Sequence, residues 1–221
     1  GLTFSALNIY FFYSCFNDTN FLKKHYEDTS ILLVAFFFSL VLFFSIGDMN
    51  FLNIFLNVIS SLSNSGLSIL TPPENFYLIF LFLTIVGGSI ISNSSGIKFL
   101  RLYILFKSSV IEIFKLVSPN TVMDQRILKT ENKINNDNLN SSFLIFICFF
   151  ISIFILSSIL SAGGLNFESS FKLSILTITN TVNSSLYGLG EIDFTNLLTS
   201  SKIFIILFMV IGKIELISLF L

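Results

Sequence analysis

Residues 57–68 read Asn-Val-Ile-Ser-Ser-Leu-Ser-Asn-Ser-Gly-Leu-Ser, and they lie between two runs, 31–44 and 76–86, that are almost purely apolar. That placement narrows what the chain can fold into. In a bilayer every backbone N–H and C=O needs a partner, so backbone that leaves a helix survives only inside protein or along a water-filled path. Ser, Asn and Gly between two hydrophobic runs therefore point to a re-entrant loop whose backbone carbonyls can face an ion. A short surface loop between two spanning helices is the other arrangement these residues allow.

Composition makes the bilayer the solvent to consider. The chain is 53% hydrophobic and 11% charged, with mean hydropathy +0.86, whereas soluble domains carry about 25% charged residues. Phe occurs 29 times and Trp never, a bias that reads as composition rather than function. Cys15 and Cys148 stand far apart in apolar surroundings, with neither metal-ligand nor disulfide-framework spacing. His25 falls in a charged stretch and reads as a solvated side chain. A membrane enzyme would need His, Cys or paired carboxylates clustered at depth, and Glu215 is the only carboxylate deep in an apolar run. No catalytic residue, no cofactor and no nucleic-acid partner is therefore expected. The chain starts at Gly1 and ends inside an apolar run at Leu221, as expected for part of a longer protein.

Read in order, the chain divides at changes of polarity. Residues 1–29 are the end of a preceding unit followed by a polar loop. A span follows over 31–46, starting near Tyr26, and then a half-polar helix over 50–61, too short to cross a core of about 30 Å. Thr71-Pro72-Pro73-Glu74 breaks the chain. The next span begins at 76–86, is interrupted at 87–96, and resumes at Ile97 with Lys98, Arg101 and Lys107. A Gly/Ser/Asn interruption with only eleven apolar residues before it has the form of a broken transmembrane helix. Residues 30–107 make one unit. Residues 108–140 are a charged loop, with an interfacial helix expected near Val110 to Leu116. Residues 141–221 repeat the plan: a span over 143–160, a short half-polar helix over 167–178, a polar loop at 179–185, and a last apolar helix over 202–221.

The two units align without gaps 116 residues apart. Asn50-Phe51 matches Asn166-Phe167, Phe55 matches Phe171, and Asn64-Ser65 matches Asn180-Thr181. Parallel repeats are one way to build a membrane pathway, although a low-complexity Phe/Ile/Ser/Asn background can produce such matches by coincidence. Ten of the twelve basic residues fall on one side of this topology, with Lys172 and Lys202 on the other. The positive-inside rule places the ten in the cytoplasm, so both polar loops open outward, beside Asp48, Glu74, Glu168, Glu191 and Asp193. An acidic rim raises the local concentration of cations.

Helix, half-helix, loop and helix is the plan of potassium-channel-like pores, and here the residues reach a family. The run from Gly87 to Lys107, with its Gly-Ile-Lys, Arg and Phe-Lys, resembles the glycine-rich run of bacterial Trk-type potassium uptake transporters, in the Trk/Ktr/HKT superfamily. Residues 57–68 resemble that family's third filter segment and Asn180-Thr181-Val182-Asn183 its fourth. Gly212-Lys213-Ile214-Glu215 stands where the family carries Gly-Arg-Leu-Glu. The similarity spans nearly all 221 residues.

The resemblance implies an all-α integral membrane protein of the cytoplasmic membrane, multi-pass. It implies four helix–pore half-helix–filter loop–helix repeats around one pore, of which this chain holds the third and fourth. Potassium is the implied substrate. The implied partners are the first and second repeats, a second copy in a homodimer, and a cytoplasmic nucleotide-binding regulatory subunit. Ser63, Asn64, Ser65 and Gly66 would line the third quarter of the filter, and Thr179, Asn180, Thr181 and Val182 the fourth. Val182 departs from the family's glycine, and valine resists positive φ, so potassium-over-sodium selectivity is expected to be loose. A rival register uses Gly188 or Gly190.

Gly87, Gly88, Ser92, Asn93, Ser94, Ser95 and Gly96 fall in the family's intramembrane gate loop. Ile91, Ser94 and Ser95 replace glycines there, which implies a stiffer loop. Lys213 stands at a pore-facing arginine of the family, an electrostatic barrier, with Glu215 as its local partner. Snorkelling of the Lys213–Glu215 pair at the cytoplasmic end is the other reading, and Arg101 reads as an inner-interface anchor. The alternative function is a non-conducting or sodium-permeable subunit of the same fold.

Overall fold

The computed structural model describes residues 6–17, 24–47, 49–68, 70–118, 124, 126–128, 133–181, 185–189, 194 and 197–213. Its elements, in chain order, are α1 (Ile9–Asn17), α2 (Tyr26–Ile46), α3 (Phe51–Leu62), a 3-10 turn (Glu74–Phe76) running into α4 (Tyr77–Ile85), β1 (Val86–Gly87), β2 (Ile97–Lys98), α5 (Phe99–Val117), α6 (Asn136–Ala162), α7 (Phe167–Ile178), a second 3-10 turn (Ser185–Tyr187) and α8 (Thr199–Ile211).

Two helices, α2 and α6, are long and apolar enough to cross a bilayer, and most of their residues are not buried inside the protein. Leu33, Phe37, Phe44, Phe143 and Phe154 stand exposed along them. Water would penalise so much open apolar surface, and lipid does not. Six serines in these spans hide their hydroxyls in the helix itself. Ser30, Ser39 and Ser45 of α2 each donate to the carbonyl four residues back, as do Ser142, Ser152 and Ser158 of α6.

The short helices α3 and α7 behave differently. Each has 12 residues, about 18 Å at 1.5 Å per residue, too short to span. Both are sunk in protein along their C-terminal halves: residues 57–62 of α3 and 172–178 of α7 are buried without interruption. α3 packs against α2 and α4, and α7 against α6 and α8. α4 also carries α7 and the second 3-10 turn, so the two halves share one core that includes Ile54, Val58, Phe80, Leu156, Leu176 and Tyr187.

The interruption at 87–96 falls where the sequence places it. β1 and β2 pair in parallel, Val86 with Ile97 and Gly87 with Lys98, so residues 88–96 close into a tight loop between α4 and α5. The helix expected near Val110 to Leu116 is not separate: α5 runs unbroken through it to Val117, keeping Ile104 and Ile111 on its buried face. α2 begins at Tyr26, so Glu27 and Asp28 form its first turn, with Asp28 buried. His25 is not simply solvated: its Nε2 lies 3.1 Å from Ser14 Oγ and its Nδ1 3.5 Å from Asp28.

Candidate functional site

The two polar loops begin where α3 and α7 end, and the ends match. Ser63 and Thr179 close their helices at φ/ψ of −85°/−2° and −79°/−1°. The next residues, Asn64 and Asn180, are left-handed at φ 57° and 51°. Asn64 N–H donates to Ser61 O and Ser65 N–H to Ser60 O; Asn180 N–H donates to Thr177 O and Thr181 N–H to Leu176 O. This is the Schellman closure with asparagine at the left-handed position, built twice 116 residues apart. Each asparagine then spends its amide on the following helix. Asn64 Nδ2 donates to Thr84 O at 2.8 Å, and Asn180 Nδ2 to Met209 O at 3.0 Å. Those carbonyls lie three residues before Gly87 and Gly212, so each loop is fixed to the place where its next helix changes course.

The loops also meet one another. Asn64 Nδ2 lies 3.3 Å from Thr181 Oγ1, which in turn is 2.7 Å from Thr179 Oγ1. Ser60, Ser63 and Ser65 form a hydroxyl cluster, Ser60 Oγ standing 2.9 Å and Ser63 Oγ 3.2 Å from Ser65 Oγ. Among the described residues, no N–H or hydroxyl bonds to the backbone carbonyls of Asn64, Ser65, Gly66, Asn180 or Thr181. Asn57 Oδ1 and Asn64 Oδ1 are buried without a protein partner as well. A buried oxygen left in that state is costly unless water or a cation meets it. The C-terminal ends of α3 and α7 put the negative ends of their dipoles at these loops.

Gly66 has φ 67°, the region that favours glycine. Its counterpart Val182 lies outside the described residues, as does Gly190. Gly188, of the rival register, has φ 63°, and its carbonyl lies 3.5 Å from Lys172 Nζ. Lys172 is buried and paired to the exposed Glu168 at 2.6 Å, which holds the Glu168 carboxyl below the usual carboxylate range.

Behind the loops, the final helix approaches closely. A Cβ on Gly212 would stand 1.9 Å from Ile178 O and 3.3 Å from Asn180 Nδ2. Gly212, Ile178, Gly96, Arg101, Ser141 and Phe149 line one cavity of about 680 Å³. Arg101 thus lines this open pocket together with Gly212. Lys213 follows directly in the turn that ends α8, half-buried; Glu215 lies outside the described residues.

The 87–96 loop is cross-linked by its own side chains. Gly88 N–H donates to Ser94 Oγ at 2.7 Å, Ser92 Oγ lies 2.8 Å from Ser94 Oγ, and Ser92 Oγ donates to Ser89 O. Gly96 turns the chain at φ 82°, and a Cβ there would stand 2.8 Å from the carbonyls of both Thr84 and Ile85. Two residues outside the expected site reach into this loop. Glu27 Oε1 accepts Ile90 N–H at 2.9 Å, and Lys98 Nζ donates to Ser92 O and Ser94 O. Sequence reasoning passed over both. Lys98 looked like one more cytoplasmic cation, and Glu27 like part of a solvated charge run.

The fold and the paired loops define a membrane protein of half-helix and loop units. Comparison with known proteins narrows this. The chain is 28% identical over 171 residues to the Trk system potassium uptake protein TrkG of Escherichia coli K12, and 27% to TrkH of the same organism. Each alignment covers 75% of this chain and 34% of the relative. The potassium transporter TrkH of Vibrio parahaemolyticus has the same fold, with a TM-score of 0.80 at 19% identity, over 99% of this chain and 49% of that one. The chain thus spans about half the length of the solved structure and about a third of the curated relatives. No family model matches it. The chain is similar in sequence to these Trk-type potassium uptake proteins and shares the fold of the solved TrkH.

Proposed function

We propose that this chain supplies two neighbouring units of a potassium uptake pore in the cytoplasmic membrane, spanning it several times. Residues 63–66 and 179–182 are the filter loops of those units, and 87–96 is an intramembrane gate loop beneath them. The observation that carries this reading is the doubled loop. Two half-helices end on left-handed asparagines, both asparagines are tied to the next helix, and the carbonyls of Asn64, Ser65, Gly66, Asn180 and Thr181 meet no donor among the described residues. A potassium ion sheds its water only where oxygens replace that shell. Carbonyls at the negative ends of two helix dipoles supply such oxygens. Half a ring is not a filter, so the function requires two further units of the same kind. A second copy of the protein and a cytoplasmic nucleotide-binding subunit belong to the same reading as partners. Lys213, next to Gly212 behind the fourth loop, together with Glu215, forms the charge barrier below the filter.

The test is growth at low potassium of cells lacking their own potassium uptake and expressing the full-length protein, with Val182→Gly beside wild type. Wild type is expected to support growth, and the glycine to sharpen discrimination against sodium. If both proteins reach the membrane and neither moves either ion, the non-conducting subunit of the same fold replaces this reading.

A further inference from the structure

Lys98 is the most deeply buried cation among the described residues, 2% exposed, and the reading above gives it no part. Its backbone closes the 87–96 loop through the pairing with Gly87. Its side chain then turns back across the loop that its backbone has closed. Nζ donates to Ser94 O at 2.7 Å and to Ser92 O at 2.9 Å, with Ser92 Oγ at 3.4 Å. Two backbone carbonyls and a hydroxyl around a monovalent cation are the kind of surroundings a filter offers a free ion. Here the cation is covalently attached. Burying an ammonium is costly unless its protons are met, and these oxygens meet them. In return, the ammonium satisfies carbonyls that the turn leaves without helix or sheet partners. The outer side of the loop is held separately, by Glu27 on Ile90 N–H and by Ala6 O on Ser89 N–H at 2.9 Å.

We propose that Lys98 is the positioning residue of the 87–96 loop: its ammonium is a tethered internal cation that gathers the carbonyls of Ser92 and Ser94 and holds the loop in one conformation. The functional half of this proposal rests on the reading of that loop as a gate.

Amide hydrogen exchange over 88–96 in the purified full-length protein tests the positioning role, with Lys98→Ala, Lys98→Met and Lys98→Arg beside wild type. In Lys98→Ala the loop amides are expected to exchange about tenfold faster or more, since charged hydrogen bonds are lost. Excess methylammonium should restore slow exchange by entering the emptied space. Lys98→Met fills that space without a donor, so it should exchange fast and be insensitive to methylammonium. Lys98→Arg, which keeps a donor, should stay slow. Wild-type exchange in Lys98→Met, or a methylammonium effect equal in Lys98→Ala and Lys98→Met, overturns the proposal. Rubidium flux through the same proteins in liposomes separates the two claims. A loosened loop with increased flux supports both. A loosened loop with unchanged flux leaves Lys98 as the positioning residue and removes the gate reading.

Discussion

Asn64 and Asn180 sit at positive φ, where a β-carbon costs about 1–2 kcal/mol and asparagine tolerates the strain better than most residues. Each also spends its amide on the next helix. Two substitutions separate these contributions at Asn180. Glycine keeps the backbone conformation and loses the bond to Met209 O; alanine loses both. Asn180→Ala is therefore expected to unfold at a lower temperature than Asn180→Gly, by about 1 kcal/mol of stability, in thermal melts of the detergent-purified protein. Equal midpoints would remove the backbone argument. Gly212 is constrained by space instead. A methyl there would overlap Ile178 O, so Gly212→Ala must push α8 away from the end of α7, at about 1–3 kcal/mol. The same melts should show it, together with loss of uptake; an unchanged melting temperature would mean that α8 shifts freely.

At the scale of elements, the half-helices were legible because an apolar run turns polar at Ser60-Ser61 and again at Thr177, and because the two runs align without a gap, Phe51 on Phe167 and Phe55 on Phe171. The interruption at 87–96 was legible from its glycines and serines. α5 was not. Residues 108–117 hold Glu112 and Lys115, and counting charge assigns them to a loop with a separate interfacial helix near Val110 to Leu116. The period of seven from Ile104 to Ile111 carries the buried face straight through, while Glu112 and Lys115 pair in the open at 2.9 Å. Lys98 and Glu27 were illegible for another reason. A charge reads the same in sequence whether it meets water or a carbonyl; only the returning chain decides. Of Ser94 and Ser95, only Ser94 cross-links the 87–96 loop, its Oγ accepting Gly88 N–H, while Ser95 Oγ is buried without a partner among the described residues. Ser94→Gly should speed amide exchange at Gly88 by about fivefold to tenfold, the loss of one hydrogen bond of about 1 kcal/mol. No change would mean that the β1–β2 pairing alone holds the loop.

Across the whole molecule, α2 and α6 leave most of their apolar surface open while the C-terminal halves of α3 and α7 are enclosed by protein. This partition lets non-helical backbone exist at depth. α4 is the joint, since it packs on α3 of its own unit and on α7 and Tyr187 of the next. Tyr187 is wholly buried in the core that the two units share. The two loops are therefore held together by the same core that joins the units, and a change in one is expected to be felt in the other. The most direct measurement is rubidium uptake into liposomes bearing the full-length protein, with sodium as competitor, for wild type and Gly66→Ala. The alanine forces a β-carbon onto a residue at φ 67°. The account predicts that wild type takes up rubidium and resists sodium, and that Gly66→Ala loses about tenfold in that discrimination, roughly 1.4 kcal/mol, while still reaching the membrane intact. Wild-type discrimination in Gly66→Ala would contradict the assignment of this loop as a filter.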